Sequence, residues 1–122
     1  MNKLTIIGNL TKDPELRSTQ DGTSVCSFSI AVNRRRGQNQ ETDYFRVTAW
    51  RERGEVCAKY LQKGKKVCVI GPVTVRTYES NGETKASMEV TADDVEFLSA
   101  KNENVDNATG YQRVEVDELP YN

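Results

Sequence analysis

The feature that most constrains this chain is a hydrophobic period that is strand-like almost throughout and turns helical once. Cys26, Phe28, Ile30 and Val32 alternate with Ser27, Ser29, Ala31 and Asn33, the period of two expected of a strand with one buried face. The same period runs through residues 44–50. Phe45, Val47 and Ala49 form one set there, and Tyr44, Arg46, Thr48 and Trp50 the other. Over residues 52–63 the period changes. Val56, Cys57, Tyr60 and Leu61 recur at helical spacing, and Gly64 stands where a helix-terminating glycine is expected. Strand character then returns in residues 67–71, is interrupted at Gly71-Pro72, and continues through residues 73–78. Asn81-Gly82 marks a tight hairpin. The last strand begins at Lys85, but Val95 and Phe97 are out of phase with Ala86, Met88 and Val90, so a bulge is expected at residues 92–94.

Earlier in the chain, residues 3–8 read as a first strand, residues 9–14 as a turn, and residues 34–42 (RRRGQNQET) as a mobile hairpin loop. The order is three strands, a helix, then two strands. This predicts an all-β domain: a five-stranded OB-fold barrel with one helix between strands 3 and 4. A β-sandwich, the alternative for a short β chain, does not account for a single helix in that place. The domain is expected over residues 1–100, with a flexible acidic tail over residues 101–122.

Net charge supports this division. The chain totals −1, yet the part through Lys101 carries 16 Lys and Arg against 13 acids, while the rest has one Arg against five acids. A mildly basic body therefore carries an acidic end. No apolar run approaches the roughly 18 residues that a spanning helix needs, and the opening residues lack a signal-peptide pattern, so a cytoplasmic address is expected. Cys26, Cys57 and Cys68 are widely spaced and there is no histidine. They read as buried free thiols rather than disulfides or a metal site. No cofactor is expected.

Function is expected on the strand face that carries Tyr44, Arg46 and Trp50, together with Tyr78 and Arg76, which share a face of a later strand. Aromatic plates interleaved with cations suit single-stranded nucleic acid, whose bases offer π-faces and whose phosphates need counter-charge. Arg34, Arg35 and Arg36 are close by in sequence. The competing reading of the same aromatics is packing against a neighbouring subunit or loop, as in a barrel used mainly for protein contacts. A nuclease built on Glu89, Asp93, Asp94 and Glu96 is disfavoured, because adjacent strand residues point to opposite faces. The chain also lacks a phosphate-binding glycine loop.

The ordered motifs NKLTIIGNLTKDPELR, VCSFSIAVNR, DYFRVTAW, YLQKGKKVCVIGPV, RTYESNGETK and VEFL make residues 1–100 resemble the bacterial single-stranded DNA-binding proteins. The resemblance implies base stacking by Tyr44, Trp50 and Tyr78, and phosphate contacts by Arg46, Arg76, Lys63 and Lys3. It places Arg36 where the family usually has a further aromatic, which implies more salt-sensitive binding there. It also implies a homotetramer at the nucleoid, acting in replication, recombination and repair. The ending Asp117-Glu118-Leu119-Pro120-Tyr121-Asn122 is similar to the family's acidic docking tip for replication and repair proteins. It differs in having Tyr121 in place of phenylalanine and in the added Asn122. The bland alternative is a solvated acidic terminus. The linker over residues 101–116 is short for the family and lacks its Gly, Pro and Gln bias.

Overall fold

The computed structural model describes residues 1–99. The elements are β1 (Leu4–Leu10), β2 (Glu15–Ser18), β3 (Ser24–Arg36), β4 (Asn39–Trp50), α1 (Arg51–Tyr60), β5 (Lys66–Gly71), β6 (Val73–Ser80), β7 (Glu83–Thr91) and β8 (Asp94–Phe97). Counted ladder by ladder, the sheet runs β6-β7-β4-β3-β1-β5-β8, with β2 added on β3. β5 passes into β6 through Pro72 alone, and β7 into β8 through Ala92 and Asp93. These are two bent strands of one long hairpin, since β6 pairs with β7 and β5 with β8. Taking each bent pair as one strand, every one of the five long strands pairs with two others, and the circuit is that of the expected OB barrel.

The bulge expected at residues 92–94 is present in the register. Between the pairs Val73↔Val90 and Ile70↔Asp94, one strand has residues 71–72 and the other residues 91–93. The additional residue shifts Val95 and Phe97 into the opposite phase. Backbone bonds Thr91 N–H to Pro72 O (3.1 Å) and Asp93 N–H to Ile70 O (2.8 Å) carry the ladder across the bend.

Strand alternation fills the interior. Ile6, Phe28, Ile30, Val47, Val69 and Val90 are buried, each contributing about 1.5–3 kcal/mol relative to exposure. Cys57 and Leu61 of the helix side close one end of this core. Here the helix differs from expectation. Its buried residues are Gly54 and Cys57, while Val56 and Tyr60 are exposed. A side chain cannot be added at Gly54, because a Cβ there meets the Ala49 carbonyl and approaches the Cys26 nitrogen at 3.2 Å. That close approach selects the glycine side of the helix for the barrel. The helix also stops earlier than residue 63, with Leu61 N–H closing on Cys57 O at 2.9 Å. Gly64 (φ 90°) serves the turn that follows and not the helix cap.

Residues 34–42 are not a loop. They are the outer part of a β3–β4 arm, paired through Arg36↔Asn39 around a two-residue turn. Residues 15–18, which carry no strand signal in the sequence, form the short edge strand β2, all of it exposed.

Candidate nucleic-acid interface

Strand register decides which side chains share a surface. On β4, Val47 and Ala49 are buried, so Tyr44, Arg46, Thr48 and Trp50 project outward. Arg46 pairs with Glu89 of β7, and Glu89 with Thr74 of β6. Counting by twos from Thr74 places Arg76 and Tyr78 on that same outer side. Tyr44 is 64% exposed, Trp50 42% and Tyr78 49%, values that leave ring faces free for a flat partner. The β4–β7 ladder ends at Phe45↔Met88. Beyond it the β3–β4 and β6–β7 arms are no longer paired, and they carry Tyr44 and Tyr78 respectively. Trp50 stands at the opposite end of β4, about 20 Å from Tyr44 at the usual strand rise.

Trp50 owes its position to the backbone after it. Arg51 has φ 62°, a left-handed conformation that turns the chain from strand into helix within one residue. The helix starts at Arg51 without a side-chain cap. The aromatic is therefore fixed at the junction of β4 and α1, on the lip of a groove of about 690 Å³ also lined by Arg53, Val56 and Phe97.

The three consecutive arginines divide between two surfaces. Arg35 pairs with Gln40, and counting back from Tyr44 puts it on the outer face. Arg34 and Arg36 lie on the reverse side of the arm. Arg34 is engaged there by a bidentate bond to Asp43, whose longer leg is 3.1 Å, and by Glu41 at 2.9 Å. The hydrogen bonds that Arg34 donates to Asp43, with the negative charge of Asp43 and of Glu41, raise the Arg34 pKa above its ordinary value. Arg36 thus sits on the opposite side of the arm from Tyr44.

Lys63 lies on the turn after α1, its N–H donating to Asp13 Oδ1 at 2.8 Å. β3 and β1 separate this turn from β4, so Lys63 is not in the aromatic–arginine group. Lys3 immediately precedes β1, beside Asn2, whose side chain bonds the backbone of Val73 in both directions. That puts Lys3 at the root of the β6–β7 arm. The sequence reading missed Lys85, which pairs with Tyr78 across the hairpin and adds a cation next to that ring. The signal was available: a two-residue turn at Asn81-Gly82 fixes residue 78 opposite residue 85.

The three thiols do not form one cluster. Cys26 and Cys57 are in the core, whereas Cys68 lies between the inward-facing Val67 and Val69 of β5, on its outer side. Burial, with the neighbouring Cys26, pushes the Cys57 thiol up to about 12. No group of three potential metal ligands occurs among the described residues. No helix among them is long and apolar enough to cross a membrane.

A five-stranded barrel with an outward aromatic–arginine face is a general arrangement, and the comparison with known sequences narrows it. The profile of the Single-strand binding protein family matches residues 1–98. This chain belongs to that family. The single-stranded DNA-binding protein of Clostridium tetani is 39% identical over 126 aligned positions, which cover 100% of this chain and 87% of the relative. Single-stranded DNA-binding protein 2 of Listeria monocytogenes is 42% identical, over 89% of this chain and 71% of its own length. The Staphylococcus aureus single-stranded DNA-binding protein is 38% identical, over 93% and 75% respectively. The family match spans the whole barrel, including both arms and the strand that carries Tyr44, Arg46 and Trp50.

Proposed function

We propose that this protein binds single-stranded DNA independently of sequence and protects it during replication, recombination and repair, without catalysing a reaction. The observation that carries this reading is the outer face shared by Tyr44, Arg46 and Trp50 of β4 with Arg76 and Tyr78 of β6, in a chain of the Single-strand binding protein family. Three exposed rings offer stacking surfaces, each worth about 1–3 kcal/mol per base. Arg46, Arg76, Arg35, Lys85 and Lys3 supply counter-charge along the two arms. Such a face reads the features common to every nucleotide, a π-surface and a phosphate. The α1 helix has no basic stripe to enter a duplex groove.

In this reading residues 1–100 hold DNA and residues 101–122 recruit. The tip at Asp117, Glu118, Leu119, Pro120 and Tyr121 lies outside the described residues. It docks replication and repair proteins through an acidic-aromatic motif. A homotetramer lengthens the short binding path of one barrel, and the protein works in the cytoplasm at the nucleoid.

The test uses the chain's only tryptophan. Trp50 stands on the proposed face, so titration with oligo-dT quenches its emission. Trp50→Ala and Tyr78→Ala each weaken binding to a labelled oligonucleotide by about 1–3 kcal/mol with unchanged thermal unfolding. Full-strength binding by both variants would mean that the aromatic face is a protein interface.

A further inference from the structure

The proposed DNA path contains a carboxylate that its chemistry does not call for. Val90 is buried against Val47 and Val73 in the ladder, so Glu89 must point outward. Its register neighbour on β4 is Arg46, and Arg76 Nε of β6 is 3.7 Å from its Oε2. Paired side chains on adjacent strands start about 5 Å apart. Glu89 therefore occupies the gap between the two arginines that the path offers to phosphate.

We propose that Glu89 is an internal competitor for phosphate, a residue that lowers affinity for single-stranded DNA and keeps binding reversible. The proposal rests on the single-strand-binding reading above. The alternative role, holding the arginines in place, is disfavoured by the geometry. At 3.7 Å, with the Arg76 side chain 70% exposed and that of Glu89 33% exposed, the pair is long and hydrated, and such pairs impose little order. What the carboxylate does impose is charge. A phosphate bound by either guanidinium lies within several ångströms of it, where the repulsion is only partly screened. Arg34 provides the contrast within the same chain. Its carboxylate partners hold it by short, bidentate contacts on the reverse side of the β3–β4 arm, out of the path. One acid–arginine cluster is a closed structural unit; the other is loose and lies where DNA passes.

The experiment is oligo-dT binding by the full-length protein across a salt series, comparing wild type with Glu89→Gln. The amide keeps size and hydrogen bonding while removing the charge. The expected result is about three- to tenfold tighter binding at low salt, from loss of one partly screened like charge. The log K against log salt line steepens by up to about 0.7, as for one further phosphate neutralised. Glu89→Thr, a good strand former without charge, is expected to shift binding in the same direction, so the proposal does not depend on one variant folding well. In an Arg76→Gln background the gain from Glu89→Gln should shrink. Equal or weaker binding by folded Glu89→Gln and Glu89→Thr, with wild type binding normally, would overturn the proposal and make Glu89 a support for the arginines. Failure of wild type itself to bind oligo-dT would overturn the underlying reading, and this one with it.

Discussion

Arg34, Arg35 and Arg36 are equivalent as sequence and unlike as structure. Alternation on β3 sends Arg35 to the side of Tyr44 and its neighbours to the reverse, where Asp43 and Glu41 neutralise Arg34. Arg35→Gln should therefore reduce the salt slope for oligo-dT by about 0.7, whereas Arg34→Gln should leave the slope unchanged in the same titration. Arg51 is a second residue-scale case. Its left-handed φ of 62° costs an L-residue about 1 kcal/mol or more. Arg51→Gly is expected to raise the thermal midpoint slightly and Arg51→Val to lower it, a β-branched side chain being least able to adopt that conformation. The thiols give a pH prediction. The Cys57 thiol has its pKa pushed from 9.0 to about 12, so above pH 9 the unfolded chain loses a proton that the folded chain keeps. Stability should fall as pH rises from about 9 toward 12, with a slope approaching 1.4 kcal/mol per pH unit from this group. Denaturant unfolding over that range checks the sign. At neutral pH a thiol reagent should label Cys26 and Cys57 only after unfolding.

Elements were legible where one face is buried and illegible where neither is. Residues 26–33 and 44–50 alternate cleanly because the barrel covers one side of them, and their parity placed Tyr44, Arg46 and Trp50 correctly on the outside. The bulge at residues 92–94 was legible for the same reason, as a break in phase. The arm over residues 34–42 and the edge strand β2 project into solvent on both faces, so no hydrophobic period marks them, and they resemble loops. The helix misled differently. Val56, Cys57, Tyr60 and Leu61 fit a helical stripe, but the buried stripe runs through Gly54, a residue that hydrophobicity patterns do not count. Gly54→Ala should destabilise the protein by about 1–3 kcal/mol through overpacking against Ala49 and Cys26, despite the better helix propensity of alanine. A lowered denaturant midpoint with an unchanged slope is the expected observation.

At the scale of the molecule, the fold serves to hold two arms at fixed positions on a closed core and to leave their shared outer face uncovered. A net charge of −1 is compatible with DNA binding because the acidic excess lies beyond the barrel, where five acids face one Arg, while the part through Lys101 carries 16 Lys and Arg against 13 acids. Deleting residues 117–122 should leave oligo-dT affinity unchanged or slightly higher, since the removed carboxylates compete with phosphate. Charge asymmetry along the chain was readable from sequence. The pairing of Lys85 with Tyr78, and the intrusion of Glu89 between Arg46 and Arg76, needed cross-strand register. In the proposed function this face takes single strands and not duplex. The decisive experiment compares affinity for oligo-dT and for a duplex of equal length across one salt series. Tight, salt-dependent binding to oligo-dT, with log K falling by about 0.7 per phosphate neutralised and much weaker binding to duplex, is the predicted result. Equal affinity for the two would contradict it.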